Sequence, residues 1–469
     1  MFKGTENIKK GIIIIFVANI INLCISLARN FILPKYLPIE IYADIKFYQL
    51  INSYGGLLAL GYIDGIHIKY GGKNISQIDK VSFLKNLSTF RIIEVIIVLN
   101  IIIIGALMKN YILIFSALSI LTINITGYYS SFFQAIGLFS YYTKILNTSS
   151  IMLFIINMVL IFLVKTKESY YYILGYVFVY FFIWVIVEIF FYNLSGIKPK
   201  YFQFSFKEAK DTICIGFFLM CGLLASNFMT GMDRWFVKVC LTTTHFAMYS
   251  FAVSTEGFLG YAISPISLTM YNYFCREKDI KNILKLKDCI ILFSVLIIGS
   301  AFGVKIILEN YLKKYYMANN VIFLLFASHL LYSIIKCLFI NLYKAQKRQK
   351  EYFIKMVIVV IVGIFFNIIA YFICKKMEAF AIATLLSSVL WCICCCLDFK
   401  ELKFGIKEFL YIGIVIIVFL YCGIRFNSMI GLILYYLIIM GLSLVFYREL
   451  LCYLTEKLKE YLKLRRRKC

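Results

Sequence analysis

The segment GYIDGIHIKYGGK, residues 61–73, puts Asp64, His67 and Lys69 at the end of an otherwise apolar run. An acid, an imidazole and an amine this close can pair with a neighbouring charge, hold a polar guest, or relay a proton, since histidine titrates near neutrality. On a helix Asp64 and His67 share a face, and Lys69 points elsewhere. Gly61, Gly65, Gly71 and Gly72 around them permit close helix packing or an ended helix. Other charges interrupt apolar runs as well. At about 1.5 Å of rise per residue, Glu256 and Lys336 lie deep within theirs, beyond the reach of snorkelling. Arg29 and Arg234 lie near the ends of theirs, where an arginine either anchors at an interface or grips an anion with its planar fork. Asp233 is placed to neutralise Arg234. Arg91 and Glu94 share a helical face, and Glu188 sits a short way inside another run. Charges in such runs are expensive and face a cavity or a partner. Asn19, Asn22 and Asn227 are polar enough to line that cavity, and equally able to bond helix to helix.

The runs that carry these residues are membrane spans. Of 469 residues, 62% are hydrophobic and 16% charged. A soluble chain carries roughly 45–50% apolar and about 25% charged residues. The apolar blocks are about 18–25 residues long, enough to cross about 30 Å of hydrocarbon as helix. Barrel strands would instead alternate over about ten residues. The chain therefore reads as an all-α polytopic membrane protein with about 14 transmembrane helices. Spans are expected near 11–33, 45–68, 88–107, 111–135, 141–164, 170–195, 211–232, 245–270, 288–308, 320–343, 354–374, 378–398, 408–424 and 428–448. Alternate loops collect most of the Lys and Arg, which sets both termini inside. The net charge of +25 follows from that topology, and no nucleic-acid partner is expected. The outer loops are too short for an external domain. The first span is read as a retained helix rather than a cleaved signal. Segment 276–288 and the basic tail are expected to lie on the inner membrane surface. Pro265 is a possible hinge within its span.

Enzyme signatures are absent. There is no Walker loop, HExxH or GxSxG. The 15 Cys fall almost entirely in apolar blocks such as WCICCCLD, without metal-ligand spacing, so no metal site is expected. Of the three His, only His329, about nine residues into its span, is a candidate for the buried catalytic histidine of an acyltransferase, and no partner for it is evident.

The end of the first span, ARNFILPKYLPIEIYADIKFYQLI, and that of the seventh, MDRWFVKVCLTTTHFAMYSFAVST, each place an arginine before an aromatic and an apolar stretch. This fits a parallel repeat of six helices. The stretches RNFILPKYL, GGLLALGYIDGIHIKYGGK and MDRWFVK resemble the bacterial polysaccharide-biosynthesis flippases of the multidrug/oligosaccharidyl-lipid/polysaccharide exporter (MOP) superfamily. The resemblance implies two six-helix lobes related by a pseudo-twofold axis, plus two C-terminal helices, around a central cavity worked by alternating access. On this chain that gives an N-lobe at 1–197, a cytoplasmic linker at 198–210, a C-lobe at 211–400, two further spans at 401–448 and a basic tail at 449–469. It implies a cargo of undecaprenyl-pyrophosphate-linked oligosaccharide, moved to the outer leaflet of the bacterial cytoplasmic membrane for capsule or O-antigen assembly. Partners would be membrane lipids and glycan polymerase or assembly proteins. Arg29, Arg234, Glu256, Lys336, Asn19, Asn22 and Asn227 would line the cavity; Asp64, His67, Arg91, Glu94 and Glu188 would form an inner gate. No cofactor is expected; the cycle is passive or coupled to H+ or Na+, with Glu256 as the ion site in the coupled case. A cation-coupled multidrug exporter and a membrane glycan-modifying enzyme are the rival readings.

Overall fold

The computed structural model describes residues 8–71, 73, 78–195, 204–276, 279–453 and 455–456. Residues 198–203 of the expected linker and 457–469 of the basic tail lie outside the described residues. Among the described residues the chain is helical, without strands. Twelve helices are long and apolar enough to cross a membrane. The other two expected spans, 45–68 and 245–270, are each built from two shorter helices with a break between them. The protein is thus an all-helical, multi-pass membrane protein. It divides into two compact units, Met1–Asn227 and Phe228–Cys469.

The first unit opens with α1 (Ile8–Tyr36), followed by α2 (Ile39–Ser53) and α3 (Tyr62–Tyr70), the two halves of the first broken span. Then come α4 (Lys80–Leu107), α5 (Tyr111–Ala135), α6 (Phe139–Met158), α7 (Ser169–Ser195) and α8 (Phe206–Met229). Asp79 caps α4 by accepting from the Val81 and Ser82 amides, and Asn110 caps α5 through the Leu113 amide. α5 is the centre of this unit and packs on α2, α3, α4, α6 and α7. Its Tyr128, Tyr129, Phe132 and Phe133 are buried.

The break between α2 and α3 is a glycine feature. Leu60 and Gly61 both have positive φ, at 50° and 81°. The Gly55 carbonyl accepts from the Leu58 amide at 3.0 Å and also from Asn124 Nδ2 at 3.1 Å. Immediately beyond, α3 crosses α8 backbone to backbone. A Cβ on Gly65 would lie 2.1 Å from the Thr212 carbonyl oxygen, and one on Gly216 2.0 Å from that of Gly61. Only glycine permits this approach.

The second unit contains α9 (Met232–Cys240), then α10 (Thr243–Glu256) and α11 (Leu259–Arg276), the halves of the second broken span. It continues with α12 (Ile280–Ile298), α13 (Ser300–Asn310) and α14 (Asn319–Ile334). A π-helical turn at Ile335–Phe339 leads into α15 (Ile340–Ala345). The unit ends with α16 (Gln349–Ile373), α17 (Met377–Asp398), α18 (Ile406–Arg425) and α19 (Ser428–Phe446). α14 is buried along nearly its whole length and packs on α10, α12, α17 and α18.

Two expectations are corrected here. Pro265 lies inside the unbroken α11, and the discontinuity falls at Gly257–Phe258 instead. Gly257 and Gly260 are the residues least able to hold a helix. Bonds from the Phe258 amide to Thr255 O and from the Gly260 amide to Gly257 O, at 3.2 and 3.1 Å, carry the chain across. Segment 276–288 is not a surface helix: from Ile280 onward it forms the first turns of α12, whose apolar length runs on to Asn310. Its Lys287 is buried because Glu408 of α18 pairs with it at 3.1 Å.

The α3–α8 crossing generates a prediction. Gly216→Val forces the two backbones apart and is expected to destabilise the protein by about 1–3 kcal/mol. Gly222→Ala, on the same helix with no atom near its added Cβ, should leave thermal unfolding in detergent nearly unchanged.

Candidate functional site

Each unit holds a cavity beside or before its broken span. In the first unit the cavity is about 280 Å3 and is lined by Arg29 of α1, by Gln49, Asn52 and Ser53 at the end of α2, and by Tyr176 and Tyr180 of α7. The lining is polar for a membrane interior. Tyr176 is oriented by donating its hydroxyl to Asn157 Oδ1 at 2.8 Å. No carboxylate among the described residues pairs with the half-buried Arg29. Asn22 is committed to packing: its Nδ2 donates to Asn147 Oδ1 at 2.7 Å, joining α1 to α6. Asn19 is half-buried on the same helix, and Asn227 is exposed at the end of α8.

The acids expected at an inner gate are distributed otherwise. Arg91 does not pair with Glu94. It forms an ion pair with Glu188 of α7 and donates to the Tyr129 and Tyr192 hydroxyls at 2.8 and 3.2 Å. Glu188 also accepts from Tyr129 at 2.9 Å and from the Trp184 indole at 2.8 Å. Glu94 is fully buried, with both oxygens 3.1 Å from Asn124 Nδ2, the same amide that serves the Gly55 carbonyl. On α3 it is Lys69 that finds a partner, Glu208 of α8 at 2.7 Å. Ser82 and Asn86 donate to the same carboxylate at 3.1 and 3.3 Å. Asp64 is half-buried and His67 exposed, and neither enters an ion pair among the described residues.

In the second unit Glu256 is the last residue of α10, directly at the break. It lines a small cavity of about 30 Å3 together with Thr230, Ser328, Tyr332, Thr384 and Trp391. Its Oε1 contacts Nδ1 of His329, a buried residue of α14 whose Nε2 has no partner. The sequence signals each of these two residues but not their contact. Asp233 is buried and does not turn to the Arg234 guanidinium. Its carboxylate accepts from Tyr249 at 2.6 Å, from Thr384 at 2.9 Å and from the Arg234 amide at 2.8 Å. The buried Nε of Arg234 is left without a partner. Lys336 lies in the π-helical turn, its ammonium 5.8 Å from the centre of the Tyr332 ring. π-helical turns recur at functional sites.

This arrangement matches a known architecture. The chain is similar to a solved structure described as the lipid II flippase MurJ in an inward closed conformation, with 18% identity and a TM-score of 0.63, covering 93% of this chain and 100% of that one. Two MATE-family multidrug transporters of the MOP superfamily align more loosely. The inward-facing one has 12% identity and a TM-score of 0.49 over 82% of this chain and 95% of its own. The outward-facing one has 12% identity and a TM-score of 0.46 over 85% and 97%. No family model matches the chain, and no curated protein sequence matches it. The likeness to the MurJ structure shows a shared fold.

The Arg91–Glu188 pair is testable by a double-mutant cycle. Arg91→Met strands a buried carboxylate and should lower stability by about 3–5 kcal/mol, whereas Arg91→Met combined with Glu188→Met should recover most of that loss. Thermal unfolding of the single and double variants measures it.

Proposed function

We propose that the protein is a transporter that flips undecaprenyl-pyrophosphate-linked oligosaccharide from the inner to the outer leaflet of a bacterial cytoplasmic membrane by alternating access. The observation that carries this reading is Arg29. It is an arginine inside a membrane span, facing an open cavity, with no carboxylate paired to it among the described residues. Such a charge calls for an anion from outside the protein. A pyrophosphate suits it, because the guanidinium fork donates two parallel hydrogen bonds to phosphate oxygens and stays charged at any accessible pH. The rest of the lining suits sugars: the Asn52 amide, Gln49, Ser53 and two tyrosines. Hydroxyl-rich rings are held by amides and hydroxyls that can both donate and accept. The likeness to a lipid II flippase supports a lipid-linked cargo. The polyprenyl tail needs no pocket, because it stays in the bilayer while the headgroup passes. An exporter of cationic drugs is the rival, and it would call for an unpaired acid where Arg29 stands.

Complementation tests the reading. The chain is expressed in a bacterium that lacks its own repeat-unit flippase and makes a matched lipid-linked glycan, and surface polysaccharide is measured at equal protein level. Wild type should restore it. Arg29→Ala should lower the rate about tenfold to a hundredfold, the loss of one charge-assisted hydrogen-bonding group. Arg29→Lys should retain part of the activity, as charge survives without the fork. Cationic-dye efflux by wild type without restored polysaccharide would favour the exporter.

A further inference from the structure

We propose that a groove between α6 and α7 of the first unit binds an anionic phospholipid of the inner leaflet, with an acyl chain in the groove and the phosphate on Lys144. The groove shares no lining residue with the Arg29 cavity, and the proposal does not rest on the transport reading above.

The groove has a volume of about 240 Å3. Its floor is Phe133 of α5 with Ile183 and Val187 of α7, all buried. Its rim is Lys144 and Thr148 of α6 and Phe190 of α7, all exposed. A buried floor under an exposed rim is a furrow in the outer surface of the bundle. In a membrane protein that surface meets hydrocarbon, and an apolar furrow there is filled by a hydrocarbon chain rather than by water.

Depth fixes which part of a lipid lies where. With both termini inside, α6 starts at the inner surface and α7 ends there. Lys144 is five residues from the start of α6 and Phe190 five from the end of α7, so each lies about 8 Å below the inner helix ends. Ile183 lies about 18 Å below them on the same scale. The groove therefore runs from the headgroup boundary towards the midplane, along the path of an inner-leaflet acyl chain. From its depth the Lys144 stem reaches up to the phosphate level.

The charge at the mouth selects the headgroup. Lys144 is the one charged residue of the lining and forms no ion pair among the described residues. Its ammonium lies 5.7 Å from the centre of the Tyr141 ring. That ring is itself held between Phe133 and Phe190, at centroid distances of 5.6 and 5.1 Å, so the groove wall also positions the cation. Glu188, the acid on the facing stretch of α7, is taken up by Arg91, Tyr129 and Trp184 and does not neutralise it. An ammonium in this place donates to phosphate oxygens. In a zwitterionic headgroup the phosphate is already balanced by its own amine, so a lipid with net negative charge gains more.

Photolabelling tests the site. Full-length protein is placed in phosphatidylcholine nanodiscs with a small fraction of phosphatidylglycerol that carries a diazirine in mid-chain. Labelled residues are then mapped by mass spectrometry. Label should concentrate within 141–148 and 183–190, above its level on the exposed apolar residues of α4 such as Ile96 and Ile103. Unlabelled phosphatidylglycerol should compete about fivefold better than phosphatidylcholine, the effect of one lysine at an anionic headgroup. Lys144→Gln should erase that preference and Lys144→Arg keep it. Lys207→Gln, at another exposed inner lysine, should change nothing. Thr148→Trp fills the groove from its exposed rim and should abolish the label there. Four results would each overturn the proposal. They are label spread evenly over α4 and the groove, equal competition by the two lipids in wild type, a preference that survives Lys144→Gln, and displacement of the probe by undecaprenyl phosphate but not by phosphatidylglycerol. The last would give the groove to a polyprenyl chain instead.

Discussion

The bilayer interior offers backbone amides and carbonyls nothing to bond with, and most of this structure follows from that. Twelve spans meet the constraint with near-continuous helix, some passing through a 3-10 or π-helical turn. The other two do not, and at each break the protein must supply what water would otherwise supply. In the first, Asn124 reaches across from α5 to the Gly55 carbonyl. An asparagine in that place needs its own support, and the fully buried Glu94 gives it. In the second, i→i+3 bonds carry the backbone past Gly257. Polar side chains thus gather where the helix fails, and the cavities form beside them.

The same constraint governs the charges. Where a charge is buried it is matched. Lys287 meets Glu408, Arg91 meets Glu188, and the Lys305 ammonium caps the carbonyl end of α18 through Gly423 and Phe426 at 2.7 and 2.5 Å. Against this background Arg29 and the Arg234 Nε stand out: among the described residues the first has no carboxylate in an ion pair with it and the second no hydrogen-bond partner. A charge left without an opposite charge inside a membrane is otherwise a net loss of stability, and the flippase reading proposed above gives Arg29 an anion to offset it.

What the residues disclosed in advance depended on the range of the interaction. The spans were legible because hydropathy is a local sum over about 20 residues. The charged residues inside them were legible for the same reason. The breaks were only half legible. The glycines around Asp64 signalled an interruption, but Pro265 drew attention away from Gly257, which has no unusual chemistry of its own. Pairings were not legible at all. Arg91 and Glu94 share a helical face, yet Arg91 reaches a carboxylate 97 residues away, and Glu256 finds His329 at a separation of 73. Which helix faces which is settled by packing, and no periodicity in a single sequence encodes it. The α3–α8 crossing shows the limit well: Gly65 and Gly216 are unremarkable apart, and only their meeting explains why neither position tolerates a side chain.

The two broken spans occupy the second and eighth positions in the order of spans, as a six-helix repeat requires, and each has an acid close to its break. The acids are not equivalent in chemistry. Glu94 has no exposed surface, and both of its oxygens face one amide. Its contact is with Asn124, the amide that serves the Gly55 carbonyl. Glu256 has a cavity on one side and a half-used imidazole on the other. A sealed acid can only support the backbone beside it, whereas an acid on a cavity wall still faces open space, so the two breaks answer the same constraint in different ways.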